Sequence, residues 1–295
     1  MKRILNSKVL ILALVSVIVL VLLTGCSSNE ASSSNESDVS ASNELKGHVT
    51  LVGSTSVTPV AQEIAEAFMK INPKVKVDVQ GVGSSAGIKS SHDKVSDFGM
   101  SSRNLKTGEK EWGLNEHVIA FDGIAVVVNP KNGVKDLTKE EATKIFKGQI
   151  TNWKEVGGVD KEILVISREA GSGTRGAFEE LMDLEKKNSD GKKISAVIKN
   201  ALIAEGNGAV KANVAKKEYA IGYLSLSYLD NSIQTVKIDG VDPTTDNIVN
   251  GTYNISRPFL LLSNGELSKE AKAYLDFVMS DEGQKIISKK LISIK

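Results

Sequence analysis

The segment HVTLVGSTSVTP, residues 48–59, decides the fold class because a strand pattern runs directly into a helix start. His48 to Gly53 reads as a strand. Thr58 is predicted to be the N-cap of the following helix, with Pro59 at its first helical position. Apolar residues then recur at helical spacing: Val60, Ile64, Phe68 and Ile71. A strand, a tight turn and a helix in this order are typical of an α/β protein.

The same alternation continues along the chain. Further strands are predicted at 75–79, 97–100, 119–129 and 163–167, and helices at 86–92, after the capping box Thr138…Glu141, after 171–174, and at 268–290. The pattern predicts mixed, mostly parallel sheets flanked by helices.

Three of the strand-to-helix turns consist of glycine and hydroxyl residues. They are GSTSVT at 53–58, GSSAG at 83–87 and GSGT at 171–174. Backbone N–H groups at a helix start lack intrahelical partners and attract anions, and Ser and Thr hydroxyls add donors. Arg168, four residues before Ser172, can add a fixed charge and a bidentate grip. Three such turns together favour an anion-binding protein.

Two enzyme motifs fit the second turn only weakly. Residues 81–86 read GxGxxA, but a dinucleotide fingerprint belongs to the first strand-to-helix turn. Residues 83–87 read GxSxG with Ser85 as nucleophile, yet the chain has no histidine beyond His117 to serve as a base. A single Cys excludes disulfides, and three scattered histidines show no metal-ligand spacing. We therefore predict no enzyme, no cofactor and no metal site.

The N-terminus carries a secretion signal. Lys2, Arg3 and Lys8 precede an apolar run at 9–23, which is short for a membrane span. The run ends at Leu23-Thr24-Gly25-Cys26, which resembles a bacterial lipobox, with Cys26 as the lipidation site; a plain signal peptide or an uncleaved anchor is the alternative. We predict a signal peptide at 1–25 and a lipidated, Ser-rich tether at 26–45. The protein would lie outside the cytoplasm, anchored to the cell membrane by lipid alone.

Composition bounds the partners of the mature chain. The 295 residues contain 37 Lys and Arg and 36 Asp and Glu; without Lys2, Arg3 and Lys8 of the predicted signal peptide, 34 basic residues face 36 acidic ones, and the charge is spread evenly. Such a chain has no long-range positive electrostatic potential that would attract polyanions, so nucleic acid is not an expected ligand.

Beyond the tether, the residues resemble the phosphate-binding proteins (PstS type) of bacterial phosphate ABC importers. The resemblance rests on a set of motifs: GSTSVTP at 53–59, GVGSSAG at 81–87, DFGMSSR at 97–103, DGIAVVVN at 122–129, GQITNW at 148–153, SREAGSGTR at 167–175 and IGYLSLSYL at 221–229. It implies a two-lobed, type II periplasmic-binding-protein fold with the ligand in the inter-lobe cleft. Lobe I would span 46–122 plus 254–295 and lobe II 123–253, hinged near 122–123 and 250–257.

The resemblance also implies a set of phosphate ligands: Ser56, Val57 through its backbone, Thr58, Ser84, Arg168, Ser172, Gly173 and Thr174. Two positions, Ser102 and Ala170, depart from the family, where related members carry an aspartate. Where some members carry an aspartate that accepts the proton of hydrogen phosphate, this chain has Ser102. Asp122 is a candidate replacement acceptor, or else a hinge or capping carboxylate. Arg103 is a candidate second anion ligand, or else a solvated surface cation.

The function implied is capture of inorganic phosphate and its delivery, as a monomer, to an ABC permease with its ATPases. A receptor for another tetrahedral oxyanion, such as sulfate or molybdate, stays open because residue 102 carries no charge. A secreted phosphatase or esterase is the rival from the enzyme class.

Overall fold

The computed structural model describes residues 44–295, so the predicted signal peptide, Cys26 and the Ser-rich segment up to residue 43 lie outside the described residues. The strands are β1 (Gly47–Gly53), β2 (Val75–Gly81), β3 (Phe98–Ser101), β4 (Asn115–Val128), β5 (Asp136–Leu137), β6 (Leu164–Arg168), β7 (Glu185–Lys187), β8 (Lys193–Ser195), β9 (Leu202–Ala204), β10 (Ala220–Ser225), β11 (Gln234–Thr235), β12 (Lys237–Ile238), β13 (Ser256–Ser263) and β14 (Ile292–Ser293). The helices are α1 (Thr58–Ile71), α2 (Ser84–His92), α3 (Thr107–Lys110), α4 (Lys139–Phe146), α5 (Gly173–Leu181), α6 (Gly206–Lys216), α7 (Thr245–Val249), α8 (Lys269–Val278) and α9 (Asp281–Ile287).

Most strands join one mixed sheet with the order β2-β1-β3-β13-β4-β10-β6-β9. The pairs toward both ends are parallel, as strand-to-helix crossovers require. The central pairs are antiparallel, because β13 and β10 both run against the 14-residue β4, and β13 also runs against β3. The α/β fold predicted from the alternating pattern is confirmed, and the two long central strands connect its ends.

The buried apolar residues of the described chain fall into four clusters. The first and fourth use residues from β1 to the start of β4 and again from β13 onward. The second and third use the chain between these parts. On β4 the change occurs within a few residues: Ile119 and Ala120 belong to the first cluster and Ile124 to the second. Asp122 thus lies where the chain passes from one hydrophobic body to another.

The predicted helix at 268–290 is two helices. It breaks after Val278, and Ser280 caps α9 by accepting a hydrogen bond from the Gly283 N–H at 3.2 Å. Gly283 lies so close to the preceding turn that a Cβ there would be 2.2 Å from the Phe277 carbonyl oxygen. Periodicity alone extended the helix through this corner, since apolar spacing continues on both sides of it.

The predicted N-cap of α1 was also wrong by one residue. Val57 occupies the cap position without a side-chain bond, and Thr58 is already helical. The Thr58 hydroxyl donates instead to the Ser54 carbonyl at 2.9 Å. Among residues 44–295, no helix is long and apolar enough to cross a membrane.

Candidate functional site

Two of the three hydroxyl-rich turns meet through Ser56 and Thr174. Ser56 lies in the turn between β1 and α1, and Thr174 lies in the first turn of α5. Their hydroxyl oxygens are 2.7 Å apart, and both residues are 1% exposed. Asn207, at the start of α6, donates to the Ser56 hydroxyl at 3.0 Å. Residues distant in sequence thus form one buried polar group.

The remaining turn joins the same region through Ser84 and Ser102, both fully buried. The Ser84 hydroxyl accepts from the Ser102 backbone N–H at 3.1 Å, and Ser54 donates to the Ser102 hydroxyl at 2.9 Å. Gly173 faces this pair so closely that a Cβ would lie 2.2 Å from the Ser84 Oγ and 2.7 Å from the Ser102 Oγ. Only glycine allows the start of α5 to approach these serines.

The N-terminus of α5 is an anion-attracting helix end. Ser172 caps it by accepting from the Arg175 N–H at 3.1 Å. The first N–H groups of a helix have no intrahelical carbonyl partners, and they carry the positive end of the helix dipole. Gly173 and Thr174 supply these groups, so the turn provides both hydroxyl and backbone donors.

Arg168 ends β6 directly before this turn and is 1% exposed. Its Nε and Nη2 donate to both carboxylate oxygens of Glu169 at 2.9 and 2.8 Å, and Nη2 also reaches the Thr55 hydroxyl at 3.2 Å. Burial raises the pKa of Glu169, but the hydrogen bonds and charge of Arg168 outweigh burial and hold this pKa below its usual value. The buried Nη1 of Arg168 has no partner in the described chain.

A second buried guanidinium, Arg257 on β13, was absent from the sequence prediction. It pairs in register with Asp122 on β4, and Arg257 Nη2 lies 2.9 Å from Asp122 Oδ2. The same nitrogen donates to the hydroxyls of Ser56 and Thr174, each at 3.2 Å. Burial raises the pKa of Asp122 to about 6, and the charge of Arg257 offsets this effect only in part.

Three predicted ligands lie in other surroundings. The Val57 N–H bonds to Ser54, at 3.2 Å to its carbonyl oxygen, and the Thr58 hydroxyl also bonds to Ser54. Arg103 is held by both carboxylate oxygens of Glu109 at 2.7 and 2.8 Å, and its Nη2 reaches the Ser85 hydroxyl at 3.2 Å. The structure therefore places Ser56, Ser84, Ser102, Asp122, Gly173 and Thr174 in one contact network, in which Arg168 reaches Thr55. The Thr58 hydroxyl is bonded to the Ser54 carbonyl instead, and the Arg103 guanidinium is bonded to Glu109 and Ser85.

Arg257 and Asn207 carried no sequence signal that could have revealed them. Arg257 lies 201 residues from Ser56 along the chain, and the strand around it has no glycine or hydroxyl turn. Among residues 44–295 there is also no group of three or more His, Cys, Asp or Glu side chains that could hold a metal ion.

Comparison with known proteins identifies the family. The PBP superfamily domain matches residues 38–282. The phosphate-binding protein PstS of Bacillus subtilis is 33% identical over 285 residues, covering 96% of this chain and 92% of that protein.

Solved structures agree with this match. A putative phosphate ABC transporter substrate-binding protein of Clostridium perfringens, solved with bound phosphate, is 45% identical with a TM-score of 0.80. The match covers 84% of this chain and 100% of that protein. An ABC-type phosphate transport receptor of Vibrio cholerae is 40% identical with a TM-score of 0.70, and the match again covers 84% of this chain and 100% of that protein. The chain therefore belongs to the two-lobed PBP superfamily and, within it, to the PstS family of phosphate-binding proteins of ABC importers.

Proposed function

We propose that this protein captures inorganic phosphate outside the cytoplasm and delivers it to an ABC import permease. One observation carries the proposal: Arg168 is buried beside two hydroxyl-rich turns and still has a donor, Nη1, without a partner in the described chain. An unmatched buried charge-bearing donor is costly, and a bound oxyanion would satisfy it. Phosphate is the anion named for the relatives that the chain resembles over most of its length.

Capture would proceed by closure of two lobes, lobe I at 46–122 plus 254–295 and lobe II at 123–253. The four hydrophobic clusters support this division, because Ile255, next to the proposed hinge, is the one buried cluster residue of the described chain that packs with the other lobe. Donors from both lobes, at Ser56 and Ser84 on one side and Thr174 on the other, would then replace the hydration shell of the anion. The chemistry is binding, and the family consists of transport receptors, so a phosphatase or esterase is not proposed.

Titration calorimetry of the purified protein, freed of bound ligand, tests this function with phosphate and sulfate at pH 6 and pH 8. We expect tight phosphate binding and exclusion of sulfate. Arg168→Gln should weaken phosphate binding by about 100-fold or more, since a charged hydrogen-bond partner is lost. Lys237→Gln is the control, because it removes the same formal charge from a surface ion pair with Asp242. Competition by sulfate would instead indicate the other oxyanion receptor.

Selectivity against sulfate needs an acceptor for the proton of hydrogen phosphate. Ser102 is fully buried and its oxygen can accept a hydrogen bond, but it carries no charge that would repel sulfate. We propose Asp122 as the charged group in that role, because it is buried next to the network and its Oδ1 has no hydrogen-bond partner in the described chain. Asp122→Asn should therefore narrow the affinity difference between phosphate and sulfate.

We further propose that the mature protein is a monomer anchored through a lipid on Cys26. The support is the order of basic, apolar and small residues that precede the only cysteine of the chain. Cys26→Ala should move the protein from the membrane pellet to the soluble fraction of fractionated cells. Unchanged retention in the pellet would contradict lipidation at this residue.

A further inference from the structure

Arg257 lies on the strand pair that connects the two hydrophobic bodies of the molecule. Its register partner is Asp122, and the neighbouring pair is Ser256 with Gly123. Ile255, two residues before Arg257, packs in the second cluster, and Phe259, two residues after it, packs in the first. The guanidinium therefore lies where the chain passes from one hydrophobic body to the other, on a strand that pairs with β4 at this position and with β3 from Leu260 onward.

From this position a single nitrogen of Arg257 touches both sides of the site. Its Nη2 donates to Ser56, in the turn before α1, and to Thr174, in the first turn of α5. These two residues are the hydroxyl pair at which the turns meet. No other described cation contacts hydroxyls of both turns among the hydrogen bonds of residues 44–295.

The other donors of Arg257 are unmatched. The residue is 3% exposed, yet Nε and Nη1 have no hydrogen-bond partner in the described chain. Asp122 balances the charge through Nη2 alone, which leaves two buried nitrogens, with three N–H groups between them, without acceptors. A guanidinium has five donors in a fixed fork, and a tetrahedral oxyanion offers several acceptors at matching distances.

We propose that Arg257 is a second anion-binding residue of the site, which grips phosphate through Nε and Nη1 and joins it to both lobes. The inference rests on the proposed function. Arg168 would hold the anion from lobe II, and Arg257 would hold it from the strand pair that connects the two lobes. Each arginine has its own carboxylate, Glu169 and Asp122, so the two cations can stay buried before the anion arrives.

Calorimetry with inorganic phosphate on the full-length protein tests the proposal with Arg257→Gln. We expect phosphate affinity to fall by about 30-fold or more, because this variant, like Arg168→Gln, loses a charged hydrogen-bond partner of the anion. The surface variant Lys237→Gln should bind within about twofold of the wild type, because a distant exposed charge contributes little. Wild-type affinity in a folded Arg257→Gln protein would overturn the proposal and leave Arg257 as a partner of Asp122 only.

A measurement on the unmodified protein covers the case in which Arg257→Gln does not fold. The chain has five arginines, so an NMR spectrum of the ¹⁵N-labelled protein contains few arginine Nε–H signals. Each can be assigned from a variant in which one arginine is replaced by lysine, or by elimination. Phosphate should shift the Nε–H signal of Arg257. A signal that stays in place while phosphate binds would overturn the proposal. If the wild type binds no phosphate at all, the proposed function fails instead.

Discussion

Asp122 is the residue in which burial and charge oppose each other most directly. It is 1% exposed, and its surroundings include the Arg257 guanidinium, the Ser225 hydroxyl and the Leu226 backbone N–H. All three favour the ionised form, but desolvation is the largest effect and raises the pKa of Asp122 to about 6. The carboxyl thus titrates close to physiological pH, inside the network that we propose for the anion.

The raised pKa predicts how stability depends on pH. The folded state binds the Asp122 proton more tightly than the unfolded state, whose pKa is near 3.8. This contribution to the free energy of unfolding is therefore complete below pH 4 and is lost as pH rises through 6. Its full size is about 3 kcal/mol, from 1.36 kcal/mol per pKa unit.

Urea unfolding of the wild type and Asp122→Asn, in phosphate-free buffer from pH 4.5 to pH 8, measures this effect. Asn cannot titrate, so the stability of the wild type relative to the variant should fall with rising pH. A difference that stays constant across this range would show that the pKa of Asp122 is not raised.

The residues of the site differ in how far sequence could predict them. Ser56, Ser84, Ser172, Gly173 and Thr174 could be proposed from sequence because each belongs to a local turn with its own glycine and hydroxyl pattern, and their contact with phosphate stays a prediction. Arg257 and Asn207 were not, because they reach the site through strand register and tertiary packing. Arg103 was predicted as either an anion ligand or a solvated surface cation, and its pairing with Glu109 depends on the short helix α3, which local patterns did not predict.

At the scale of elements, α5 has to approach α2 closely to bring its first turn into the network. Gly173 makes this possible, since its missing Cβ leaves room for the Ser84 and Ser102 hydroxyls. The Ser84 Cβ would also lie only 2.8 Å from an added methyl group, so rotation of the hydroxyl cannot relieve the clash. The close approach is between elements from the two proposed lobes.

Gly173→Ala should therefore hinder closure without unfolding either lobe. We expect phosphate affinity to fall by about tenfold or more, while the thermal midpoint without phosphate changes little, because alanine is favourable within a helix. Gly171→Ala is the matched control, since a Cβ there would meet only the Ser85 Cβ at 3.9 Å. Calorimetry measures the phosphate affinity of both variants, and thermal unfolding measures their midpoints without phosphate. Equal phosphate affinities of Gly173→Ala and Gly171→Ala would mean that α5 and α2 do not approach each other on binding.

The five strands and five helices that local patterns predicted are present, the last helix as two, but β10, β13 and α6 are among the described elements that those patterns did not predict. The strand-to-helix turns and the Thr138…Glu141 capping box were read from residues adjacent in sequence, and the structure confirms them. The break before α9 depends on how tightly Gly283 packs under Phe277, which spacing does not record. Family motifs supplied the two-lobed architecture, whereas the strand alternation by itself predicted only an α/β fold.

At the scale of the whole molecule, the described structure has the two proposed lobes in contact. The Tyr228 hydroxyl donates to the Thr55 carbonyl at 2.8 Å, and the Ser85 N–H donates to the Gly171 carbonyl at 3.1 Å. Both bonds join residues from different lobes. If phosphate capture drives closure, such bonds form only in the closed state, and their energy contributes to phosphate affinity rather than to the stability of each lobe.

Tyr228→Phe and Tyr253→Phe separate these two effects, because each removes one hydroxyl-to-carbonyl bond of 2.8 Å. Tyr253 bonds to Ile124, and both pack in the same hydrophobic cluster, so Tyr253→Phe should lower the thermal midpoint without phosphate and leave affinity unchanged. Tyr228→Phe should leave that midpoint unchanged and weaken phosphate binding by about 3- to 10-fold, the value of one net hydrogen bond. Calorimetry and thermal unfolding measure both quantities. A Tyr228→Phe protein that loses stability but keeps its affinity would mean that the lobes stay together without ligand, and capture would then need another opening motion.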